Sequence, residues 1–431
     1  MFREVMKSSW KLSLQLLLVV AAAFLLWGCG SGGGSSFDSP TTTETATPLI
    51  DADKLKDWVD AGLVNDGGFE NVVILQVGTQ AEYDAEHIPG AFLWDTFTQA
   101  GRLEGLAYDV KVMVPDGPTM DAMLARTGID SETTIVLSYA STSRIYNPTR
   151  AYFTLRYWGF PKDKIKVING GNNGWTDAAY VLTTDTTPEI ASTFCVTDND
   201  DLYDDLRYSI GELIQVVDAN NASIAASEGP LYNIVQQTTG DRVITNAIGR
   251  NWADFAQSGA VTGGYLIGTE AAEAVLLDAD GPADDLSLGT FVPGLPSITH
   301  CVSGMSCTPI FFAMDALLGW DVAVYDGSKS QWDIYRGNPA GGDPLISDSW
   351  NVNLNGRSND TSIVNIDDDI DNDDPNSDPD AALNYLFQSP SDPDANQIEN
   401  EDAAYLNRFD GTSTDGTSGA PSAGSSDPSG C

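Results

Sequence analysis

The sequence predicts an α/β fold built twice in tandem, each unit a parallel sheet flanked by helices, followed by an acidic, largely irregular C-terminal extension. Three observations predict it. Short apolar runs alternate with helical stretches. Two such stretches close alike, with a strand, a glycine turn and a tryptophan. Beyond about Arg336 the composition turns strongly acidic. The length, 431 residues, suits two domains of about 150 residues with additions.

The first unit spans 49–181. Val72-Val73-Ile74-Leu75-Gln76-Val77, Thr134–Ser138 and Ile165–Ile168 are short apolar runs suited to buried parallel strands. Thr149 to Gly159 has a helical period and ends on glycine. The second unit spans 200–336. There Ile214-Gln215-Val216-Val217-Asp218 reads as a strand, Ser297–His300 as a strand entering a loop, and Pro309 to Leu318 as a helix stopped by Gly319. Asp321 to Tyr325 closes the unit. The first unit ends Val167-Ile168-Asn169-Gly170-Gly171-Asn172-Asn173-Gly174-Trp175, and the second Val324-Tyr325-Asp326-Gly327-Ser328-Lys329-Ser330-Gln331-Trp332. That match marks an internal duplication.

The ends differ from the body. Met1 to Gly28 reads as a signal segment, with Arg3, Lys7 and Lys11 ahead of an apolar run from Leu12 to Trp27. That run is shorter than the ~20 residues a membrane span needs. Gly28-Cys29 resembles the lipobox of bacterial lipoproteins, which implies lipidation of Cys29 and a lipid-anchored place in the cell envelope, periplasmic or outer-membrane. Residues 29–48 form a Gly/Ser/Thr tether suited to such an anchor. Gly341 to Cys431 holds 19 acidic residues against Arg357 and Arg408, a balance that disfavours a packed core. Cutting after about Gly341 is therefore expected to leave the core folded, although Leu383, Tyr385, Leu386, Phe387, Tyr405 and Leu406 offer short pieces that could dock. Asp367 to Asp374 lacks the glycine and closing glutamate of a calcium loop, so it reads as a solvated acidic run and no metal site is expected.

With 62 acidic residues against 21 basic, the formal net charge is −41. Nucleic-acid binding is excluded, since it needs basic patches. Two histidines, His87 and His300, exclude a histidine-rich metal centre. Five cysteines form no C-x-x-C pair, which argues against structural zinc or iron–sulfur sites.

Chemistry concentrates at Cys301-Val302-Ser303-Gly304-Met305-Ser306, between a predicted strand and a predicted helix. Loop N–H groups and a helix N-terminus both favour thiolate. Such a cysteine suits a nucleophile that accepts a sulfur atom and holds it as a persulfide, or it packs as a small buried residue. Cys307 is either a resolving thiol or a buried residue of the first helical turn. Ser303 and Ser306 either donate to a bound anion or satisfy loop carbonyls. Cys195 and Cys431 are available for a disulfide.

From about Leu49 to Arg336 the chain resembles the rhodanese superfamily, specifically its two-domain thiosulfate and 3-mercaptopyruvate sulfurtransferases. The segment His87-Ile88-Pro89-Gly90-Ala91 with Trp94-Asp95, the stretch Leu124 to Leu137 with Thr127-Gly128-Ile129-Asp130, the loop at Cys301, and Tyr325-Asp326-Gly327-Ser328 with Trp332 carry the resemblance. It implies tandem rhodanese-like domains, an inactive first domain with Tyr139 at the place of Cys301, and Cys301 as the catalytic nucleophile. His87 would be a turn residue. No cofactor is implied. The partners implied are a small sulfur-containing anion as donor and a thiol or cyanide acceptor.

The departures concern donor recognition. The family's strand-end Asp-x-Arg stands as Gln76-Val77-Gly78 in the first unit and, on this reading, as Asp218-Ala219-Asn220 in the second. The second H-I-P-G-A is reduced to Thr245-Asn246-Ala247-Ile248-Gly249. Anionic donors need cationic clamps, and Arg242 and Arg250 are the candidates. The loop carries no Arg or Lys and is closer to the mercaptopyruvate type. The rival expectation is a non-catalytic binding subunit of an outer-membrane redox or oxyanion-processing complex.

Overall fold

The computed structural model describes residues 47–104, 107–110, 112–199, 202–237, 244, 246–278, 290–337 and 397–409. The signal-like segment, Cys29, most of the tether, Arg242, the acidic run Asp367–Asp374 and Cys431 lie outside them.

The first unit runs β1 (Leu49–Ile50), α1 (Ala52–Asp60), β2 (Val72–Val77), α2 (Gln80–Ala85), β3 (Phe92–Trp94), the hairpin β4 (Arg102–Glu104) and β5 (Ala107–Val110), α3 (Gly117–Leu124), β6 (Thr134–Ser138), α4 (Tyr146–Tyr157), β7 (Ile165–Ile168) and α5 (Gly171–Asp177). Its main sheet has the order β1-β7-β6-β2-β3, all parallel. Every residue of β2 is buried, as expected of a parallel strand covered on both faces. The chain leaves β2 into a helix because Thr79 and Glu82 form a capping box.

The second unit runs β8 (Arg207–Tyr208), α6 (Ile210–Ala225), β9 (Asn233–Gln237), β10 (Ile248–Arg250), α7 (Thr269–Leu277), β11 (Ser297–His300), α8 (Thr308–Phe312), β12 (Val322–Tyr325) and α9 (Ser328–Gly337). A π-helical stretch continues α8 to Leu318, where Gly319 closes it at φ +65°. The sheet order β8-β12-β11-β9-β10 repeats the first sheet position for position. Trp175 and Trp332 are both buried. The duplication read from the sequence is thus present in the topology.

One element differs from expectation. Ile214 to Asp218 lies inside α6 and is not a strand. Ser209 and Glu212 form a capping box that starts the helix, and an apolar run of five residues does not by itself separate helix from strand. The strand is β9. Asp218-Ala219-Asn220 is therefore mid-helix; the Asn220 side chain binds the backbone of Leu231 and Tyr232.

The two units share one apolar core. Tyr152 and Phe153 of α4 meet Phe312 and Phe311 of α8 edge-on, and the Thr149 and Thr308 hydroxyls share a hydrogen bond of 2.9 Å.

The acidic extension takes up the docking that Tyr405 and Leu406 offered, and adds ion pairs to it. Its described part folds as α10 (Gln397–Leu406) and returns to the body. Arg102 binds both Asp402 carboxylate oxygens at 2.8 Å, and Arg207 donates to Glu399 Oε1 at 2.8 Å. The Tyr405 hydroxyl and Arg408 reach Asp121, while Tyr405 and Leu406 pack on the core. Acidic composition argues for solvation only where buried arginines do not await those acids. Here they do, so this segment is part of the folded body and not a solvated appendage.

Candidate active site

Strand register shows which residues are equivalent. Gln76 of β2 pairs with Ser138 of β6, and Gln236 of β9 pairs with His300 of β11. The residues that follow, Tyr139 and Cys301, hold the same place in the two units. Tyr139 is buried; its hydroxyl accepts from the Gly170 N–H and donates to Gly264 O. It ties the two units together. His87 is likewise internal, bound to Tyr83 O and Asp185 O and stacked on the Tyr83 ring.

Cys301 begins a tight loop from β11 to α8. The Cys307 and Ser306 side chains and the backbone N–H groups of Ser303 and Cys307 favour its thiolate. The Ser306 hydroxyl donates to Gln237 Oε1 at 3.0 Å. Burial alone would raise the thiol pKa, but these donors overcome it and lower it from 9.0 to about 5. Cys307 moves the other way. Burial and the neighbouring Cys301 sulfur push it well above 9.0. Both cysteines are free thiols, whereas Cys195 is disulfide-bonded. His300, buried on β11, is lowered to about 4 by desolvation and stays neutral near pH 7. The mouth of the loop is at Val302, 57% exposed.

The loop is held from behind. The Ser328 hydroxyl accepts from the N–H groups of Cys301 and Gly304, at 3.1 and 3.0 Å, and donates to Tyr325 O. Gly304 has φ +75°, and a Cβ there would stand 2.6 Å from Asp326 O and 2.9 Å from Arg150 Nη1; only glycine fits. Arg150, from α4 of the first unit, donates to Gly304 O at 2.9 Å and to Val112 O at 2.7 Å, and pairs with Asp326 Oδ1 at 2.6 Å. Asp326 also accepts from the Val114 N–H and meets Arg207. Burial would raise its pKa, but Arg150 and Arg207 hold it below 3.8. Arg207 in turn meets Glu104 and Glu399. A buried chain of charges therefore runs from α10 to the back of the Cys301 loop.

The structure corrects the expected clamps. Arg250 is buried and gives its guanidinium to Leu276 O and Gly249 O, fastening the end of α7; it takes no part in the loop. β10 pairs with β9 as β3 does with β2, so Arg250 stands at the place of Trp94. The register also moves the second strand end to Gln236-Gln237. Among the loop residues, Ser303, Ser306 and Cys307 favour the thiolate. Arg150 and Ser328 had escaped notice as site residues. The signal for Ser328 was its place in Tyr325-Asp326-Gly327-Ser328; Arg150 was only one of two arginines in a helix of mixed composition.

Residues 51–178 match the rhodanese-like domain. The first unit thus carries a rhodanese-like domain, and the chain is similar to proteins named as sulfurtransferases. It is 24% identical over 294 residues to a Mycobacterium leprae (strain TN) protein provisionally named a thiosulfate sulfurtransferase, covering 66% of this chain and 95% of that one. It is 23% identical over 255 residues to the thiosulfate sulfurtransferase of Mus musculus, covering 58% and 78%. Among solved structures, Tum1 from Saccharomyces cerevisiae superposes with a TM-score of 0.52 at 15% identity, over 70% of this chain and all of Tum1. That likeness extends the tandem fold to the second unit of this rhodanese-like chain.

A pH profile tests the thiolate. Alkylation of Cys301 by iodoacetamide should reach half its maximal rate near pH 5 and stay flat from pH 6 to 8, whereas an ordinary thiol climbs through about 8.5. A rate still rising at pH 8 would show that the loop does not hold a thiolate.

Proposed function

We propose that the protein transfers sulfane sulfur through a Cys301 persulfide, from thiosulfate or 3-mercaptopyruvate to a thiol or cyanide acceptor. The observation that carries this reading is a buried cysteine that opens a tight strand-to-helix loop, with the Cys301 and Gly304 N–H groups pinned by the Ser328 hydroxyl. The Cys301 thiolate attacks the sulfane sulfur of the donor. Its S–S bond to sulfonate, or C–S bond to pyruvate, breaks, and sulfite or pyruvate enolate departs. The terminal sulfur of the new persulfide is anionic and takes over the groups that favour the thiolate. Among the loop side chains, Val302, Ser303, Met305 and Ser306, none is cationic. That favours a donor bound by neutral hydrogen bonds over one clamped by guanidinium. A lipid-anchored, extracytoplasmic location completes the reading. It rests on Gly28-Cys29 after an apolar run and on the Gly/Ser leash that follows.

Single-turnover release of sulfite from thiosulfate, or pyruvate from 3-mercaptopyruvate, tests it. One equivalent per protein is expected, and none from Cys301→Ser. Release that survives in that variant, or is absent from the parent with both donors, would overturn the proposal.

A further inference from the structure

Asp326 is the buried carboxylate on which the Cys301 loop rests. Its backbone and side chain pack directly against Gly304, leaving no room there for a Cβ. Ser328, which pins the Cys301 and Gly304 N–H groups, follows two residues on. Among the described residues, three groups hold the carboxylate in one orientation: Arg150 Nη1 at 2.6 Å, the Val114 N–H at 2.8 Å and Arg207 Nε at 3.4 Å. Two of the three are braced by α10. Glu399 accepts from Arg207 Nη1 at 2.8 Å, and Asp402 holds Arg102, which also donates to Val114 O at 3.2 Å. A buried ion pair adds little stability over apolar residues of the same size, so stability alone does not account for two of them on α10.

We propose that α10 is a working part of the active site, with Glu399 as a positioning residue that sets the Cys301 loop through Arg207 and Asp326. The inference rests on the persulfide reading above. Arg207 stands between two glutamates, since its Nη1 meets Glu104 at 2.9 Å as well as Glu399 at 2.8 Å. Without Glu399 the guanidinium swings fully onto Glu104, whose two oxygens already receive its fork. The contact that gives way first is the longest, from Nε to Asp326. Arg150 is then the one arginine left on that carboxylate. Its Nη1 is shared between Asp326 Oδ1 and Gly304 O, so a stronger pull from the carboxylate draws it off the loop carbonyl. The turn at Gly304 loosens, and the Cys301 sulfur loses its fixed line of attack on the donor.

Hydrogen exchange and sulfur loading in the full chain test the brace. Inorganic polysulfide is the loading reagent, and intact mass follows the uptake. Glu399→Ala keeps the Arg102–Asp402 pair and the contacts of Tyr405 and Arg408 with Asp121, so α10 stays docked. This variant should take up sulfur at Cys301 about tenfold more slowly than the parent, since a misplacement of about 1 Å costs up to about a hundredfold. The Cys301 and Gly304 amides should exchange faster, while β11 and β12 keep their protection. Glu399→Gln leaves an acceptor oxygen for Arg207 and should load at close to the parent rate. In an Arg150→Met background, Glu399→Ala should slow loading no further, because both act on the same contact; independent effects would multiply. Parent-like loading and loop exchange in Glu399→Ala, or effects that multiply, would overturn the proposal. If the parent takes up no sulfur, the persulfide reading falls, and exchange of the loop amides alone decides the brace.

Discussion

Replacing Asp402 with alanine is expected to lower the free energy of unfolding by about 3–5 kcal/mol, the scale of a buried ion pair broken from one side. Arg102 and Asp402 are almost fully buried, and their contact is two-pronged. Without the carboxylate, the guanidinium stays in the interior with Val114 O as its remaining close acceptor among the contacts of the body. The Tyr157 hydroxyl loses its acceptor as well. Ending the chain before Gln397 should cost more, because Arg207 then loses Glu399 and Asp121 loses Tyr405 and Arg408. Pairing Arg102→Met with Asp402→Leu should recover much of the loss, since an apolar pair of similar size carries no desolvation penalty. Urea unfolding of the full chain measures all of these. An unchanged midpoint in Asp402→Ala would show that α10 is dispensable.

Arg150→Met is expected to slow persulfide formation about a hundredfold, the penalty typical of a reacting group misplaced by about 1 Å. Arg150 touches no reacting atom; it is a positioning residue. It holds Gly304 O and neutralises Asp326, which lies next to the segment carrying Ser328. Its loss leaves a buried carboxylate short of one partner and frees the loop to relax away from the sulfur. Stability alone would fall in many variants, so the decisive reading is the alkylation profile of Cys301. Its midpoint should move up from about 5 toward that of an ordinary thiol, because the donors from Ser303, Ser306 and Cys307 lose alignment. Arg150→Lys keeps the charge but not the planar fork, and should recover only part. A midpoint that stays near pH 5 in Arg150→Met would show that the loop keeps its shape without the arginine.

Much of this fold could be read from local pattern. β2, β6, β7 and β12 are short apolar runs at the register positions the duplication demands. The loop at Cys301 was legible because a strand, the six residues Cys301 to Ser306 and, after Cys307 and Thr308, the helix-favouring Pro309 follow in order. α6 was misread because its apolar run suits either element; Ser209 and Glu212, three apart, were the local signal that decides it. The interdomain ties were not legible, since Arg150 and Asp326 come together only after both units fold. The ion pairs that fix the described part of the extension were hidden for the same reason. Acidic residues near the C-terminus look solvated until the arginines they neutralise, Arg102 and Arg207, are seen to be buried.

The pairing of Arg102 with Asp402 spans 300 positions of sequence, and that distance imposes an order in time. A ribosome makes the first unit early, yet the arginine inside it lacks the Asp402 carboxylate until 300 further residues have been added. Closing so long a loop adds little entropy, because the cost grows only logarithmically with length. The delay itself is what matters. A prematurely ended chain carries two complete sheets but an uncompensated cation within the first unit, and it should open readily to proteases. The arrival of α10 is thereby written into the stability of the product.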